Sequence, residues 1–130
     1  MTKLLIDTDV MIELTRGNNQ AIQLLNTYQK QHQLCVSSIN RYELLIGSRN
    51  KSELKDLLEL LTFFNTLSLN NEIAQMAEKL IIDYNLSHNL QLADALIAST
   101  ALVNDVGLLS RNKKDFQYTD KINLISYPNS

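Results

Sequence analysis

The sequence predicts an α/β fold with a mainly parallel central sheet of four to five short strands flanked by helices. Short apolar runs alternate with segments whose apolar residues recur at spacings of three and four, as expected for strands alternating with amphipathic helices. Strands joined through a helix run parallel, because the helix carries the chain back across the sheet. The 130 residues, 45% of them hydrophobic, suffice for one core, and a single domain over residues 1–130 is expected.

The first third of the chain predicts two strands, each followed by helix. Residues 3–6 are a buried strand, and Thr8 is expected to cap a helix that continues toward Gly17. A second helix starts at Asn18 or Asn19 and ends in the polar run QKQHQ. Residues 34–37 form the next strand, and the SSIN segment offers several caps for a helix that stops at Gly47.

The rest of the chain predicts three further helices and the remaining strands. Leucines at helical spacing indicate a helix over residues 52–64, followed by the extended run TLSL. Asn70 or Asn71 caps the next helix, and Asn89 is expected to cap another from about residue 90 to residue 104. Strands are predicted at residues 108–110 and 122–125, with the polar loop RNKKDF between them.

Composition argues against several classes of protein. The apolar runs are too short to cross a bilayer, and the amino terminus has the pattern of a strand rather than of a signal peptide, so a cytoplasmic location without membrane association is expected. Cys35 is the only cysteine, which excludes an intramolecular disulfide and favours a small buried side chain. His32 and His88 show no paired ligand spacing, so surface positions are expected and a zinc site is not.

Four acidic residues adjoin apolar segments, where an uncompensated carboxylate is costly. They are Asp7 in LLIDTDV, Glu43 in INRYELLIG, Asp94 in QLADALIAST and Asp115 in SRNKKDF. Parallel strands place their carboxyl ends at one edge of the sheet, where Asp7 and the loop of Asp115 fall, so the four side chains are expected to converge. Oxygen ligands alone favour Mg²⁺ or Mn²⁺, which suits hydrolysis of a phosphodiester.

Each acid also has a structural alternative. Asp7 can cap the first helix, and Asn40 followed three residues later by Glu43 fits a capping box. Asp115 can be a solvated loop residue. Asp94 is the hardest to explain structurally, because its helical neighbours are apolar.

The charge balance does not decide whether the partner is a nucleic acid. A net charge of -2 argues against a polyanion, but a cation that neutralised the four acids would leave 12 basic against 10 acidic residues. Arg111, Lys113 and Lys114 cluster beside Asp115. They are expected either to contact the backbone phosphates of a nucleic acid or to form a solvated basic loop.

In order, LLIDTDVMIEL, SSINRYELLIG, ADALIASTAL and SRNKKDF closely resemble the successive motifs of PIN-domain ribonucleases, specifically the VapC-type toxins of bacterial toxin–antitoxin pairs. The resemblance spans nearly the whole chain. It implies a PIN-like fold and a metal-dependent endoribonuclease that cuts RNA, in many members transfer or ribosomal RNA. It also implies a cognate antitoxin that blocks the site, and a homodimer.

The resemblance assigns roles to particular residues. Asp7, Glu43 and Asp94 match the family's three core acids, and Asp115 matches the acid whose placement varies; together they would bind Mg²⁺ or Mn²⁺ and carry catalysis. Asn112 stands where many relatives carry another acid, which leaves the fourth ligand position open.

Three neighbouring positions match supporting roles in the family. Ser110 and Asn112 match its supporting polar residues. Asp9 occupies a position that is often Asn or Ser, so it is expected to orient the loop rather than to bind metal.

Two other functions fit part of the sequence. Asp7-Thr8-Asp9 looks like the opening of haloacid-dehalogenase-type phosphatases, which form an aspartyl-phosphate, although Met11 replaces the usual Thr or Val and no later paired-acid motif appears. A non-catalytic PIN-like interaction domain is the other. The leucine-rich residues 54–64 could contact an antitoxin or a second copy, or Phe63 and Phe64 could simply complete the core.

Overall fold

The structure is a computed structural model that describes residues 2–127, apart from the side chain of Ser126. In these residues five strands form one sheet in the order β3-β2-β1-β4-β5, and every neighbouring pair is parallel. The strands are β1 Thr2–Ile6, β2 His32–Ser37, β3 Asn65–Leu67, β4 Gly107–Ser110 and β5 Leu124–Ser126. The predicted fold class is confirmed.

Six α-helices connect these strands within the described part of the chain. They are α1 Thr8–Thr15, α2 Asn19–Tyr28, α3 Ser38–Ile46, α4 Lys51–Leu61, α5 Asn71–His88 and α6 Leu92–Asn104, and a short 3₁₀ helix follows β4 at Lys113–Asp115. None of the helices in residues 2–127 combines the length and the apolar character needed to cross a membrane.

The core lies on both faces of the sheet, because successive side chains of a strand point to opposite faces. Leu4 and Ile6 pack with residues of α1 to α4 on one face. Leu5 and Cys35 pack on the other face against α6, whose small Ala98 allows close approach. Cys35 is fully buried, as predicted.

Two helices begin directly at strand ends, and each cap is one of the alternatives that the sequence offered. Asp7, not Thr8, is the N-cap of α1, and its side chain accepts from the Thr8 N–H. The capping box of α3 pairs Ser37 with Asn40 rather than Asn40 with Glu43. Because β2 runs straight into α3, the cap falls on the last strand residue, which leaves the Glu43 carboxylate free of a capping role.

The turn between α5 and α6 also differs from prediction. Asn89 ends α5 in the left-handed conformation, with φ of 50°, instead of capping α6. Asn is among the few residues that adopt this conformation readily, so it serves at either end of a helix. Helix α6 begins at Leu92, and its N-cap Gln91 makes no side-chain capping bond.

Strand boundaries shift where tertiary pairing extends them. β2 begins at His32 because His32 pairs with Thr2 of β1, and Thr2 Oγ1 lies 2.6 Å from His32 Nδ1. His32 is therefore half-buried rather than a surface residue, whereas His88 is exposed as expected. Helix α4 ends three residues early; Phe64 joins the core, but Phe63 is 82% exposed and does not.

Candidate functional site

Asp7 is the most deeply placed acid of the site. It follows β1 directly and is only 6% exposed. Its Oδ1 accepts from the Thr8 N–H at 2.8 Å, and its Oδ2 accepts from the Ser110 hydroxyl at 2.7 Å. Ser110 is the last residue of β4, and the parallel pairing of β1 with β4 brings the two strand ends together. Sheet topology thus fixes this carboxylate.

The surroundings of Asp7 oppose its charge. Burial is the largest of the causes that raise the pKa of Asp7 from its ordinary 3.8 to about 7, and the nearby charges of Asp9 and Asp94 contribute to the same rise. The hydrogen bonds from Ser110 and Thr8 act in the opposite direction but do not outweigh burial. A cation beside this carboxylate would reverse the balance and favour its ionised form.

Glu43 reaches the same edge from α3, and Thr8 ties it to Asp7. The Thr8 hydroxyl donates to Glu43 Oε1 at 2.6 Å, and the Asn40 amide donates to the Thr8 hydroxyl at 2.9 Å. Asn40 is fully buried, and its Oδ1 accepts from both the N–H and the hydroxyl of Ser37, which fixes the orientation of the amide. Thr8 therefore binds Asp7 through its backbone and Glu43 through its side chain.

Asp94 lies in the first turn of α6 and is half-buried. The pKa of Asp94 is raised to about 6, and burial is the largest cause. The charges of Asp115, Glu43 and Asp9 contribute to the same rise, in decreasing order of size. These interactions indicate that the carboxylates predicted to converge lie within electrostatic range of Asp94. The structure thus brings together acids from α1, α3, α6 and the 3₁₀ helix.

Asp9 and Ser110 hold the loop that carries Asp115. The Asp9 Oδ2 accepts from the Arg111 N–H at 3.1 Å, and the Ser110 hydroxyl accepts from the Asn112 N–H at 3.0 Å. Asp115 follows at the end of the 3₁₀ helix with an exposed side chain. Asp9 therefore anchors the start of this loop, in line with the orienting role expected for it.

The three basic residues beside Asp115 do not have equivalent surroundings. The Arg111 guanidinium donates to Glu13 Oε1 at 2.9 Å and lies 5.4 Å from the centre of the Tyr127 ring. Lys113 is half-buried, and Lys114 is exposed. Arg111 is exposed too, but these contacts hold it against the protein surface.

The chemistry of the site fits a hard divalent cation. All its charged ligand atoms are carboxylate oxygens, and one of them, Asp9 Oδ1, is buried without a hydrogen-bond partner among residues 2–127. Within residues 2–127, no three His, Cys, Asp or Glu side chains are arranged to enclose an ion by themselves. Mg²⁺ does not need such an enclosure, because it keeps several waters and binds proteins through one or two carboxylates plus substrate phosphate.

Thr8 and Asn40 are the site residues whose contribution the sequence did not predict. Both drew attention only as helix caps. Their shared signal is a polar residue next to a predicted acid: Thr8 directly follows Asp7, and Asn40 precedes Glu43 by three residues. The Asn40 amide donates to the Thr8 hydroxyl and so joins positions 32 residues apart. Spacing along the sequence does not reveal this hydrogen bond.

Comparison with known proteins gives the family. A model of the PIN domain matches residues 4–122. The chain belongs to the PIN-domain family. Among its relatives is the Mycobacterium tuberculosis protein named Ribonuclease VapC10, 32% identical over 120 residues, which are 92% of this chain and 90% of the relative. Ribonuclease VapC19 of the same species is 33% identical over 117 residues, covering 86% and 90% of the two chains.

A solved structure agrees with this PIN-domain assignment. A chain from a structure described as a toxin-antitoxin complex from Klebsiella pneumoniae is 27% identical, with a TM-score of 0.80 over 95% of this chain and 96% of the other. The resemblance drawn from the four sequence motifs is confirmed. The phosphatase interpretation of Asp7-Thr8-Asp9 was wrong, since that segment is the first part of a PIN domain.

Proposed function

We propose that this chain is a VapC-type endoribonuclease toxin that uses Mg²⁺ or Mn²⁺ to hydrolyse RNA phosphodiester bonds, with transfer or ribosomal RNA as the candidate targets. The observation that carries the proposal is the gathering of carboxylates at the carboxyl edge of the sheet, where the pKa values of Asp7 and Asp94 rise to about 7 and about 6. Burial is the main cause of both rises and the neighbouring carboxylates add to them, a combination that is common at functional sites and that a bound cation would relieve. The kinship with proteins named ribonucleases supports the choice of RNA.

Asp7 and Asp94 would hold the principal metal, with Glu43 and Asp115 completing the site. When bound, the metal would lower the pKa of a coordinated water and offset negative charge at the reacting phosphate. Ser110 and Thr8 keep Asp7 in place.

Glu43 is the residue best placed to orient the attacking water. Its side chain is exposed, Thr8 binds one of its oxygens, and no hydrogen bond to Oε2 exists within the described residues. Attack by water needs no ribose 2′-hydroxyl. The preference for RNA therefore comes from kinship and not from this chemistry.

An antitoxin partner is part of the proposal. A structurally similar chain comes from a toxin-antitoxin complex. In this protein a groove of about 570 Å³ runs between α1, α3 and α4, with Glu43 on its wall and Leu44, Leu57 and Leu60 in its lining. An antitoxin segment in this groove would lie beside the acidic site and block it, which fits the leucine-rich stretch noted in the sequence. We further propose a homodimer and a cytoplasmic location.

Lys113 and Lys114 would contact backbone phosphates, with Arg111 contributing mainly by holding the loop. Replacing both lysines by Ala should weaken binding of single-stranded RNA. The slope of the logarithm of the binding constant against the logarithm of the salt concentration should become shallower by about 0.7 for each lost phosphate contact. An unchanged slope would remove both lysines from the contact surface.

The decisive experiment is cleavage of total cellular RNA by the purified protein in Mg²⁺, Mn²⁺ or EDTA. Asp7→Asn and Asp94→Asn should abolish the metal-dependent cutting, and the exposed Asp83→Asn should cut like the wild type. Equal cutting by all four proteins would reveal a contaminating nuclease. Metal binding without cleavage of any RNA would favour a non-catalytic interaction domain.

A further inference from the structure

An aromatic cluster lies at one side of the acidic site. Tyr118, which follows the 3₁₀ helix, packs against Tyr84 of α5 with ring centres 4.9 Å apart. His88, the last residue of α5, lies 6.1 Å from the Tyr118 ring and 6.2 Å from the Tyr84 ring. Tyr84 and Tyr118 are half-buried, and His88 is exposed. The two tyrosine rings therefore form the inner part of the cluster, and the His88 ring forms its accessible outer part.

Chain connectivity places this cluster beside two of the site carboxylates. Only three residues separate His88 from α6, whose first turn carries Asp94. Tyr118 follows Asp115 by three residues. In agreement with this placement, the pKa of the Tyr118 hydroxyl is raised to about 12. Burial is the largest cause, and the charge of Asp94 is the next. The Tyr118 hydroxyl is thus within electrostatic range of Asp94.

The Tyr118 hydroxyl has no hydrogen-bond partner within residues 2–127, although its oxygen is buried. Leaving a buried hydroxyl without a partner is costly, and native proteins rarely do so without a reason. Packing of Tyr84 and Tyr118 against the core accounts for their rings. The hydroxyl oxygen lies beneath the surface, out of reach of an incoming molecule. The part of the cluster that a ligand can contact is the exposed imidazole of His88, whose Nδ1 lies 2.7 Å from Ser87 Oγ.

We propose that Tyr84, His88 and Tyr118 form a binding site for one nucleotide of a single-stranded RNA, adjacent to the bond that is cut. The base stacks on the exposed ring of His88, which meets the Tyr84 and Tyr118 rings at interplanar angles of 72° and 51°. These two rings hold the imidazole in position, and the buried Tyr118 hydroxyl does not contact the nucleotide. Aromatic rings bind unstacked bases of any sequence in this way. The inference rests on the proposed nuclease function, since it names a subsite for that substrate.

The test is binding of a short single-stranded RNA that carries 2-aminopurine, measured in EDTA so that no cleavage occurs. The chain contains no tryptophan, so the fluorescence of this base analogue reports stacking directly. His88→Ala should weaken binding roughly 5- to 100-fold and restore the fluorescence that stacking quenches, whereas His88→Phe should bind like the wild type. Tyr118→Phe keeps the ring and removes only the buried hydroxyl, so it should bind and quench like the wild type.

The outcomes separate this inference from the proposed activity. If the wild type cuts RNA while His88→Ala binds and quenches like the wild type, the nucleotide site is refuted and the nuclease stands. If His88→Ala loses stacking but no preparation cuts RNA, the nucleotide site stands and the nuclease falls. Absence of any RNA binding by the wild type would also refute the nucleotide site.

Discussion

Replacing Asp7 by Asn should stabilise the metal-free protein at alkaline pH, although it removes a residue of the site. The pKa of Asp7 is raised from 3.8 to about 7, so the folded state binds the proton more tightly than the unfolded state does. Its effect on stability is therefore small below pH 4, grows as pH rises and is complete above pH 7. At pH 8 the ionised carboxylate costs the fold about 4 kcal/mol by this linkage.

Asn removes that cost but replaces only part of the hydrogen bonding. Asp7 accepts from Thr8 through one oxygen and from Ser110 through the other, and Asn offers a single acceptor. We therefore expect Asp7→Asn to raise the free energy of unfolding at pH 8 by about 2 to 3 kcal/mol and to flatten its decline between pH 4 and pH 8.

The assay is urea unfolding in EDTA at several pH values, with the exposed Asp83→Asn as the matched control. The control should follow the wild type throughout. Adding Mg²⁺ should stabilise the wild type and the control but leave Asp7→Asn unchanged, since a ligand that binds only the folded state stabilises it. A lower stability of Asp7→Asn than of the wild type at pH 8 in EDTA would refute this account of the buried charge.

Three further substitutions test individual contacts. Thr8→Val removes the hydroxyl that holds Glu43 and should reduce RNA cleavage and Mn²⁺ affinity roughly 10- to 100-fold, while Thr8→Ser should retain both. Ser110→Ala removes a hydrogen bond that lowers the pKa of Asp7, so the acidic limb of the pH profile for cleavage should move to higher pH. Gly107→Ala places a Cβ 2.8 Å from Ile125 Cδ1 and should lower the free energy of unfolding by about 1 kcal/mol in urea titrations.

Each of these substitutions has a result that would contradict it. Equal activity of the Val and Ser variants at position 8 would show that the hydroxyl does not position Glu43. A pH profile unchanged by Ser110→Ala would mean that this hydroxyl does not tune Asp7. The effect of Gly107→Ala should shrink in an Ile125→Val background, which lacks the clashing carbon; an undiminished effect would place the strain elsewhere.

The strands and helices were predictable because each element buries one or both of its sides in the core. The spacing of its apolar residues therefore follows the period of a strand or a helix. Helix starts were less predictable because several polar residues compete for each cap. The SSIN segment contains three possible caps, Ser37, Ser38 and Asn40, and Asn89 suits either end of a helix. The beginning of β2 at His32 could not be read from its polar sequence, since only pairing with Thr2 makes that residue part of the sheet.

The acids of the candidate site were predictable for a different reason. A carboxylate next to apolar residues is rare enough to be conspicuous in one sequence, and parallel topology gives such residues a common edge. The relay from Asn40 through Thr8 to Glu43 was not predictable, because each residue has an ordinary local explanation. Only the distance of 2.6 Å between Thr8 Oγ1 and Glu43 Oε1 reveals that Thr8 also holds the Glu43 carboxylate.

The central position of β1 has a consequence for the growing chain. This first strand lies between β2 and β4, and the hydroxyl that binds Asp7 comes from a residue 103 positions later. Until β4 has been synthesised, one edge of an apolar strand lacks its partner, and such edges pair readily with other chains. Ribosome-bound chains that stop before β4 should therefore be protease-sensitive and prone to aggregate, and they should have no assembled acidic site with which to attack RNA during their own synthesis.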